Sequence, residues 1–234
     1  MSVETLQRSI LGITPRGVEA RIDTLAGQSS CRVVVNGDTL AEETCSPGDE
    51  AALGLGLLLL EGAAAPGSPA PEADVSESCV GFRLEGRRPS AIEPGRVESG
   101  FRSDPAAVFD LMRKAAELAV THASTGATHF AALGESGLIR CHFEDISRTA
   151  ALAKALGEAW SKGFPGCSST LLLSSRVPAC FVIGAARAGI PIMAAVSAPT
   201  AQAADEAERL NICLCGFVRG ERMNVYSHPW RLGL

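Results

Sequence analysis

Two short segments combine hydroxyl side chains with the point where a predicted strand passes into a predicted helix. They are Ser174-Ser175-Arg176 and Ser197-Ala198-Pro199-Thr200. The first turn of a helix presents free backbone N–H groups, and the helix dipole favours negative charge there. Phosphate is therefore the ligand that such junctions suit best. The alternative is that these side chains only cap the helices that follow.

A third segment, Phe217-Val218-Arg219-Gly220-Glu221-Arg222, places two arginines around a glycine at the end of a predicted strand. A guanidinium group can bind two oxygens of one phosphate at once. The segment thus indicates either part of an anion site or a hairpin turn whose arginines are solvated. The sequence leaves both interpretations open.

Isolated polar residues adjoin these segments. Thr125 and His129 lie where a long predicted helix gives way to a strand, and Arg148 begins the helix after Glu144-Asp145. His129 is a candidate for proton transfer, although a packed, hydrogen-bonding role is favoured for a single histidine. Acidic residues before a helix are stabilised by its dipole, so Glu144 and Asp145 are expected to act as caps.

The chain has eight cysteines, no C-x-x-C pair, and no cysteine–histidine cluster with the spacing of a zinc site. It begins without a signal-peptide pattern and is large enough to fold without disulfides, so reduced thiols in the cytoplasm are expected. Cys180 is the candidate catalytic thiol, because the start of a helix lowers the pKa of a cysteine. Cys213 and Cys215 lie two apart on a predicted strand and face one side, where packing as small apolar residues is favoured.

The elements that would position these residues alternate between strands and helices. The expected strands are 129–133, 138–141, 170–174, 191–196, 212–218 and 223–226; the expected helices are 103–124, 148–160, 178–188 and 201–210. Such alternation predicts a three-layer α/β domain, residues 103–234, with a largely parallel sheet. In sheets of this kind, ligands bind where the carboxyl ends of strands meet helix starts.

Residues 1–102 predict a smaller α+β domain. Asn36-Gly37 is a hairpin turn between strands 31–36 and 40–45, and 79–84 is a further strand. The apolar run 51–60 is about half of the roughly 20 residues that cross a bilayer, so it is expected to be a buried helix. Residues 63–74 are rich in Ala, Pro, Gly and Ser, which is typical of a loop.

The composition limits the classes of partner. A hydrophobic fraction of 46% supports a real core, and a net charge of −5 provides no global basic field. Neither nucleic acid nor a membrane is therefore expected as a partner.

From Thr125 to Arg231 the chain resembles the FdhD family of formate dehydrogenase accessory proteins. The matching stretches are Thr125-Gly126, His129-Phe130-Ala131-Ala132, Glu144-Asp145-Ile146, Arg148, Lys154, Gly157, Ser174, Arg176, Ala188-Gly189-Ile190-Pro191-Ile192, Val196-Ser197-Ala198-Pro199-Thr200, Gly216-Phe217, Arg219-Gly220 and Asn224-Val225-Tyr226. Earlier matches are Val35-Asn36-Gly37, Pro47-Gly48-Asp49 and Leu60-Glu61-Gly62.

The resemblance implies a cytidine-deaminase-like fold without the deaminase zinc site, a homodimer, and sulfur transfer. In that family, a C-x-x-C loop receives sulfur from a cysteine desulfurase as a persulfide. The loop delivers it to a molybdenum bis-guanine-dinucleotide cofactor destined for formate dehydrogenase. The expected cofactor-binding residues are Thr125, His129, Arg148, Ser174, Arg176, Ser197, Thr200, Phe217, Val218, Arg219, Gly220, Glu221 and Arg222.

This chain departs from the family at several positions. The C-x-x-C loop would fall in residues 97–105, which hold no cysteine. The other departures are Thr149-Ala150 for a His-Asn pair, Ala153 for aspartate, Ser175 for glycine, Cys180 for glutamate and Gly184 for lysine.

Because a persulfide requires a thiolate, three hypotheses follow from these departures. The first is an accessory protein that binds the cofactor without carrying sulfur. The second is a sulfurtransferase that uses Cys180 or the Cys213/Cys215 pair. The third is a nucleotide-binding protein with a repurposed pocket.

Overall fold

The first two strands form a hairpin of β1 (Thr5–Thr14) and β2 (Gly17–Ala26) that is paired along its full length. It belongs to a computed structural model that describes residues 3–66, 69–85 and 91–234. Neither strand was expected from the sequence, because the apolar residues of β1 follow no period of two. Most of the hairpin is exposed.

A second sheet and a helix complete the N-terminal part. The elements are β3 (Ser29–Val35), β4 (Asp38–Cys45), α1 (Glu50–Leu60), β5 (Ala73–Ser76) and β6 (Cys79–Phe82). The four strands lie in the order β4-β3-β6-β5. The predicted Asn36-Gly37 turn and the buried helix are confirmed. The predicted loop 63–74 ends early because β5 begins at Ala73, and its residues Gly67 and Ser68 lie outside the described ranges.

The C-terminal part contains the third and largest sheet of the described residues. The elements are α2 (Pro105–Glu117), α3 (Val120–Thr125), β7 (His129–Glu135), β8 (Leu138–Asp145), α4 (Arg148–Ser161), β9 (Thr170–Leu173), α5 (Ala179–Arg187), β10 (Ile192–Ala195), α6 (Ala201–Leu210), β11 (Cys213–Arg219) and β12 (Arg222–Val225). The six strands lie in the order β12-β11-β10-β9-β7-β8.

This sheet is mixed, so the prediction of a largely parallel sheet is wrong. Of its neighbouring pairs, β9–β10 and β10–β11 are parallel, whereas β7–β8, β7–β9 and β11–β12 are antiparallel. The reason is that β7–β8 and β11–β12 are hairpins, and a short turn can only join antiparallel strands. Since β8 and β9 both run opposite to β7, the strands β8, β9, β10 and β11 still point in one direction.

The single helix expected at 103–124 is two helices. Its start is as predicted: Asp104 caps α2 by accepting a hydrogen bond from the Ala107 N–H at 2.9 Å, with Pro105 in the first turn. The break has a local cause. The buried carboxylate of Glu144 accepts hydrogen bonds from the backbone N–H groups of Thr121 (2.8 Å) and His122 (2.6 Å), and so caps a new helix, α3.

Helices cover both faces of the large sheet. Side chains of α2 pack on one face with Leu172 of β9, while α4, α5 and α6 pack on the other face with Leu171 and Leu173. The latter core is continuous with α1 and the N-terminal sheet. A boundary at residue 102 and a cytidine-deaminase-like arrangement stay predictions.

Helices α1 and α4 approach so closely that only glycine fits at their contact. A Cβ atom on Gly56 would lie 1.8 Å from the carbonyl oxygen of Ala153, and one on Gly157 would lie 1.9 Å from that of Ala52. The helix α1 is apolar on all sides and buried from Ala52 to Leu59, as expected for a helix enclosed by other elements. Among the described helices, none is long and apolar enough to cross a membrane.

Candidate functional site

One edge of the large sheet gathers the residues that the sequence singled out. Because β8, β9, β10 and β11 point in one direction, their carboxyl ends meet there, and α4, α5 and α6 begin at this edge. The amino end of β7 lies at the same edge, since His129 pairs with Asp145 at the end of β8. The segments singled out in the sequence therefore lie at strand ends although the sheet is mixed. Their binding of a ligand stays a prediction.

Backbone hydrogen bonds tie the connecting segments at this edge to one another. The Ser174 N–H donates to Phe130 O (3.1 Å), and the Val177 N–H donates to Ala198 O (3.1 Å). The Phe217 N–H donates to Ser197 O (3.2 Å). Each segment is thus held by its neighbour, which fixes the shape of the edge. We call this set of segments the strand-end edge.

The hydroxyl groups at the strand-end edge are mostly engaged within the fold. Thr200 Oγ1 accepts from the Ala203 N–H at 3.1 Å and caps α6, and Ser174 Oγ accepts from the Phe130 N–H at 2.8 Å. Thr125 Oγ1 donates to Thr121 O at 2.7 Å within its own turn. The capping interpretation is therefore confirmed for Thr200, and Ser174 joins β9 to β7.

The start of α5 differs from the starts of α4 and α6. Ser147 and Thr200 cap α4 and α6 with their side chains, whereas Pro178 at the start of α5 has no side chain that can do so. The first N–H groups of α5 are therefore the ones best suited to receive an anionic ligand.

Four arginines lie along the strand-end edge. Arg148 begins α4, Arg176 precedes α5, and Arg219 and Arg222 flank the turn between β11 and β12. Within the described ranges, none of them forms an ion pair with a carboxylate. Burial, and then the neighbouring His122, Arg148 and Arg176, lower the pKa of His129 below its ordinary value. His129 is therefore neutral near pH 7. The four arginines concentrate positive charge at this edge, although the net charge of the chain is −5.

The hairpin β11–β12 carries Arg219 and Arg222 directly opposite each other. Like charges at opposed positions destabilise a pair of strands, so this arrangement favours an anion that lies between them. The hairpin turn that was one of the two interpretations of this segment is present, and Gly220 adopts the left-handed backbone conformation there, with φ 57. A bulge follows Gly216 and bends the strand. Within it Phe217 adopts φ 54, which is uncommon for an aromatic residue.

Arg219 is held at the strand-end edge rather than directed freely into solvent. Its Nε donates to Val196 O at 3.1 Å, and its guanidinium carbon lies 5.9 Å from the centre of the Phe217 ring. A groove of about 1080 Å³ begins beside it. Val196, Val218 and the β11–β12 turn form one wall of the groove, and α2 forms the other. The α2 wall is apolar at Phe109 and Met112 and charged at Asp104, Asp110 and Arg113.

The cysteines fall into accessible and inaccessible groups. Cys180 lies at the surface in the first turn of α5, but its thiol is partly buried, and this burial raises its pKa. The N–H groups of Cys180 and Phe181 and the charge of Arg148 only partly offset the rise. The expectation of a lowered pKa is therefore wrong. Cys213 and Cys215 face the same side as predicted, with Sγ atoms 3.8 Å apart, and both are completely buried.

A buried arginine, which no pattern in the sequence indicates, holds the segment 97–103. Arg231, which is 0% exposed, donates five hydrogen bonds to backbone carbonyl groups and stacks 4.3 Å from the centre of the Trp230 ring. The accepting carbonyl groups are those of Val97, Ser99, Phe101 and Asn211. We call this arrangement the Arg231 clasp.

Two acidic residues before α4 have structural roles. Glu144 caps α3, and Asp145 forms a buried ion pair with Lys154 at 2.8 Å. Lys154 also donates to Ser46 O at 2.9 Å, which joins α4 to the N-terminal part. Among the residues that the structure describes, no group of three or more His, Cys, Asp or Glu side chains is arranged to hold a metal ion.

Comparisons with known proteins agree on one family. The model of the FdhD/NarQ family matches residues 73–233. The curated relative from Methanothermobacter thermautotrophicus, called sulfur carrier protein FdhD, is 32% identical over 86% of this chain and 88% of its own. A protein of the same name from Anaeromyxobacter dehalogenans is 34% identical over 91% and 89%. A candidate formate dehydrogenase accessory protein from Desulfotalea psychrophila shares the fold, with a TM-score of 0.89, 21% identity, and 97% and 99% coverage.

Proposed function

Because this chain belongs to the FdhD/NarQ family, we propose that it is an accessory protein of formate dehydrogenase maturation that binds the nucleotide phosphates of a molybdenum bis-guanine-dinucleotide cofactor. The cofactor is cargo in this role, not a resident group. The observation that carries the proposal is the strand-end edge, where four arginines form no ion pair with a carboxylate within the described ranges. Arg148 and Arg176 lie near the uncapped start of α5, and Arg219 and Arg222 flank the turn between β11 and β12.

The chemistry of this edge fits a diphosphate. Arginine binds phosphate oxygens in pairs, and the N–H groups at the start of α5 supply further donors with a favourable dipole. The opposed Arg219 and Arg222 lose their mutual repulsion when an anion lies between them. In the groove beside Arg219, the apolar side chains of Phe109, Val196 and Val218 offer a wall for the flat part of a nucleotide.

The proposed role does not need a persulfide on the segment 97–105. That segment contains no cysteine, and the Arg231 clasp holds it against the fold. Both features favour an accessory protein that binds cofactor without the usual sulfur relay. Formate dehydrogenase is the proposed client.

We expect GDP, used in place of the nucleotide ends of the cofactor, to bind the wild-type protein in an isothermal titration. Arg176→Ala and Arg219→Ala should each weaken binding by about 10-fold to 100-fold, because each removes a charge-assisted hydrogen bond worth roughly 1.5–3 kcal/mol. Arg209→Ala on α6 is the matched control, since Arg209 is an exposed arginine paired with Glu206. Failure of GDP to bind at high micromolar concentration, or equal affinity in all three variants, would contradict the phosphate site.

A second candidate function, sulfur transfer, is favoured by one observation: Cys180 is an exposed thiol at the strand-end edge. The buried Cys213 and Cys215 offer no comparable access in this conformation. In this role a cysteine desulfurase would be the donor, and its persulfide sulfur would pass to the Cys180 thiolate.

If Cys180 carries sulfur, incubation with a desulfurase and cysteine should add one sulfur atom to the protein, measured by intact mass. Since burial raises the pKa of Cys180, the adduct should increase as the pH rises above the ordinary range of a thiol. The adduct should vanish in Cys180→Ser and persist in Cys167→Ser, which removes the other exposed thiol. A relative that is known to form the adduct serves as the positive control. If that relative gains sulfur and the wild-type protein does not, sulfur transfer is ruled out, while the proposal of a phosphate site is unaffected.

A further inference from the structure

A cleft of about 720 Å³ lies at the edge of the large sheet that is opposite the strand-end edge. At this opposite edge α1, α4 and α5 end, and β9 and β10 begin. The 14 residues of α4 span about 20 Å, and this length separates the cleft from the proposed phosphate site. We call it the helix-end cleft. Its buried lining residues are Leu59, Leu133, Leu156, Ala159, Trp160 and Ile190.

The three helices leave this space because each of them ends in the same kind of glycine turn. Gly62, Gly163 and Gly189 follow α1, α4 and α5, and they adopt φ values of 69°, 66° and 73°. The residue after each glycine donates a backbone hydrogen bond to the carbonyl group five residues earlier, which is the pattern of a Schellman motif. The chain therefore turns away sharply at each helix end, and the cleft lies between the three ends.

Arg187, the last residue of α5, supplies the charge of the helix-end cleft. Among the described residues that line the cleft, it is the only one with a charged side chain. Its guanidinium group is fixed, because Nε donates to Ile92 O at 2.9 Å and Nη1 donates to Leu59 O and Leu60 O. These two carbonyl groups end α1, where the helix dipole stabilises a cation. The cleft thus combines apolar walls with one positive charge held in place.

The remaining nitrogen of this guanidinium group can still receive a ligand. Within the described ranges, Nη2 of Arg187 donates no hydrogen bond, and Arg187 forms no ion pair. A Cβ atom on Gly62 would lie 2.8 Å from Nη2, so the glycine keeps the space beside this nitrogen open. A carboxylate would gain a charge-assisted hydrogen bond there, and the arginine side chain would lose little freedom because it is already fixed.

We propose that the helix-end cleft binds a small apolar carboxylate, with its acid group on Arg187 and its hydrocarbon part against Trp160 and Leu156. The volume of the cleft falls within the roughly 300–1,000 Å³ of small-molecule sites, which are mostly apolar with a few convergent polar groups. The helix dipoles at this edge oppose an anion, but the glycine turns and Arg187 already pair several of the terminal carbonyl groups, which weakens that effect. The site is separate from the proposed phosphate site and does not depend on it.

The first test compares sodium octanoate with octanamide, which has the same length and no charge. In isothermal titrations of the wild-type protein, octanoate should bind about 10-fold more tightly than octanamide, because only the acid forms a charge-assisted hydrogen bond with Arg187. Arg187→Gln keeps a donor but loses the charge, so it should bind the two probes with similar affinity. No binding of octanoate at millimolar concentration, or equal affinity of the wild-type protein for both probes, would overturn the proposal.

A variant that fills the helix-end cleft locates the binding. Ala188 lines the cleft at the end of α5, so Ala188→Phe should abolish the binding of octanoate by occupying its space. Ala123→Phe makes the same change at an exposed position of α3 and should bind octanoate as the wild-type protein does. Circular dichroism checks that both variants fold. Unchanged affinity in Ala188→Phe would show that octanoate binds elsewhere, which contradicts the proposal.

Two exposed cysteines allow a measurement that needs no variant. Cys167 lines the helix-end cleft, whereas Cys180 lies at the strand-end edge. Saturating octanoate should slow the alkylation of Cys167 by iodoacetamide several-fold and leave that of Cys180 unchanged, as measured by peptide mass. GDP should not change the affinity for octanoate, so a failure of GDP to bind would count against the phosphate site alone. An unchanged rate at Cys167, or equal slowing of both thiols, would overturn the proposal of a carboxylate site.

Discussion

Replacing Gly56 by alanine is expected to lower the melting temperature by about 4–8 °C, although alanine is the better helix former by about 1 kcal/mol. The added Cβ atom would lie 1.8 Å from the Ala153 carbonyl oxygen and 2.4 Å from its carbon. Both are backbone atoms, so no side-chain rotation relieves the clash, and α1 must move away from α4. Overpacking of this kind costs about 3 kcal/mol or more. Thermal unfolding followed by circular dichroism measures the effect.

Gly184→Ala on α5 is the matched control for this prediction. Its Cβ atom would meet only the end of the Leu60 side chain, at 2.2 Å, and that side chain can adopt another rotamer. A much smaller loss is therefore expected. If Gly56→Ala is as stable as the wild-type protein, the close approach of α1 and α4 is not present in solution.

Loss of the Arg231 clasp is expected to have the other large effect. In Arg231→Met, the five hydrogen bonds to the carbonyl groups of Val97, Ser99, Phe101 and Asn211 disappear. Leaving several buried carbonyl groups without donors should cost roughly 3–5 kcal/mol of unfolding free energy. Chemical denaturation measures this cost.

Arg231→Lys separates charge from geometry. Lysine keeps the positive charge, but it cannot reach four carbonyl groups in a planar fork, so most of the loss should remain. Arg102→Met is the matched control, because Arg102 is exposed and lies on the same indole, 5.4 Å from the centre of the Trp230 ring. It should change stability by less than about 0.5 kcal/mol.

The clasp also predicts a local effect that a general loss of stability would not give. The amides of Val97 and Ser103 donate to Leu210 O and Arg231 O, at 2.9 Å each. In Arg231→Met they should exchange with deuterium far faster than amides of β9 in the same sample. Uniform acceleration over the whole chain would show that the segment has no separate anchoring by Arg231.

The fold was largely predictable where local signals agree with one another. The α6 boundaries 201–210 match the prediction, as do the start of α2 at Asp104-Pro105 and the turn at Asn36-Gly37. In each case, a cap, a proline or a turn dipeptide coincides with a change in apolar period. The directions of the strands in the large sheet were not predictable, because periodicity shows that a strand exists but not which strand lies beside it.

The candidate site was predicted in its segments but not in its contacts. Arg219 and Arg222 were recognised as candidate anion-binding residues because they are arginines around a glycine. Their opposed pairing depends on a bulge after Gly216, which no pattern in the sequence indicates. The pKa of Cys180 was predicted in the wrong direction, because the burial that raises it depends on packing. Arg231 was missed altogether, since nothing near it distinguishes a buried arginine from a surface one. The cofactor-binding roles stay predictions.

The strand-end edge is held together by main-chain atoms. The hydrogen bonds that link Ser174 to Phe130, Val177 to Ala198, and Phe217 to Ser197 all run between backbone groups. A change of a side chain that does not itself bridge two segments, as those of Ser174 and Arg219 do, therefore leaves this framework in place. This explains how Ser175 and Cys180 can differ from the family pattern while the fold is retained. Such a framework lets evolution exchange the chemistry of a site without rebuilding it, so one scaffold can lose a reaction and keep its ability to bind.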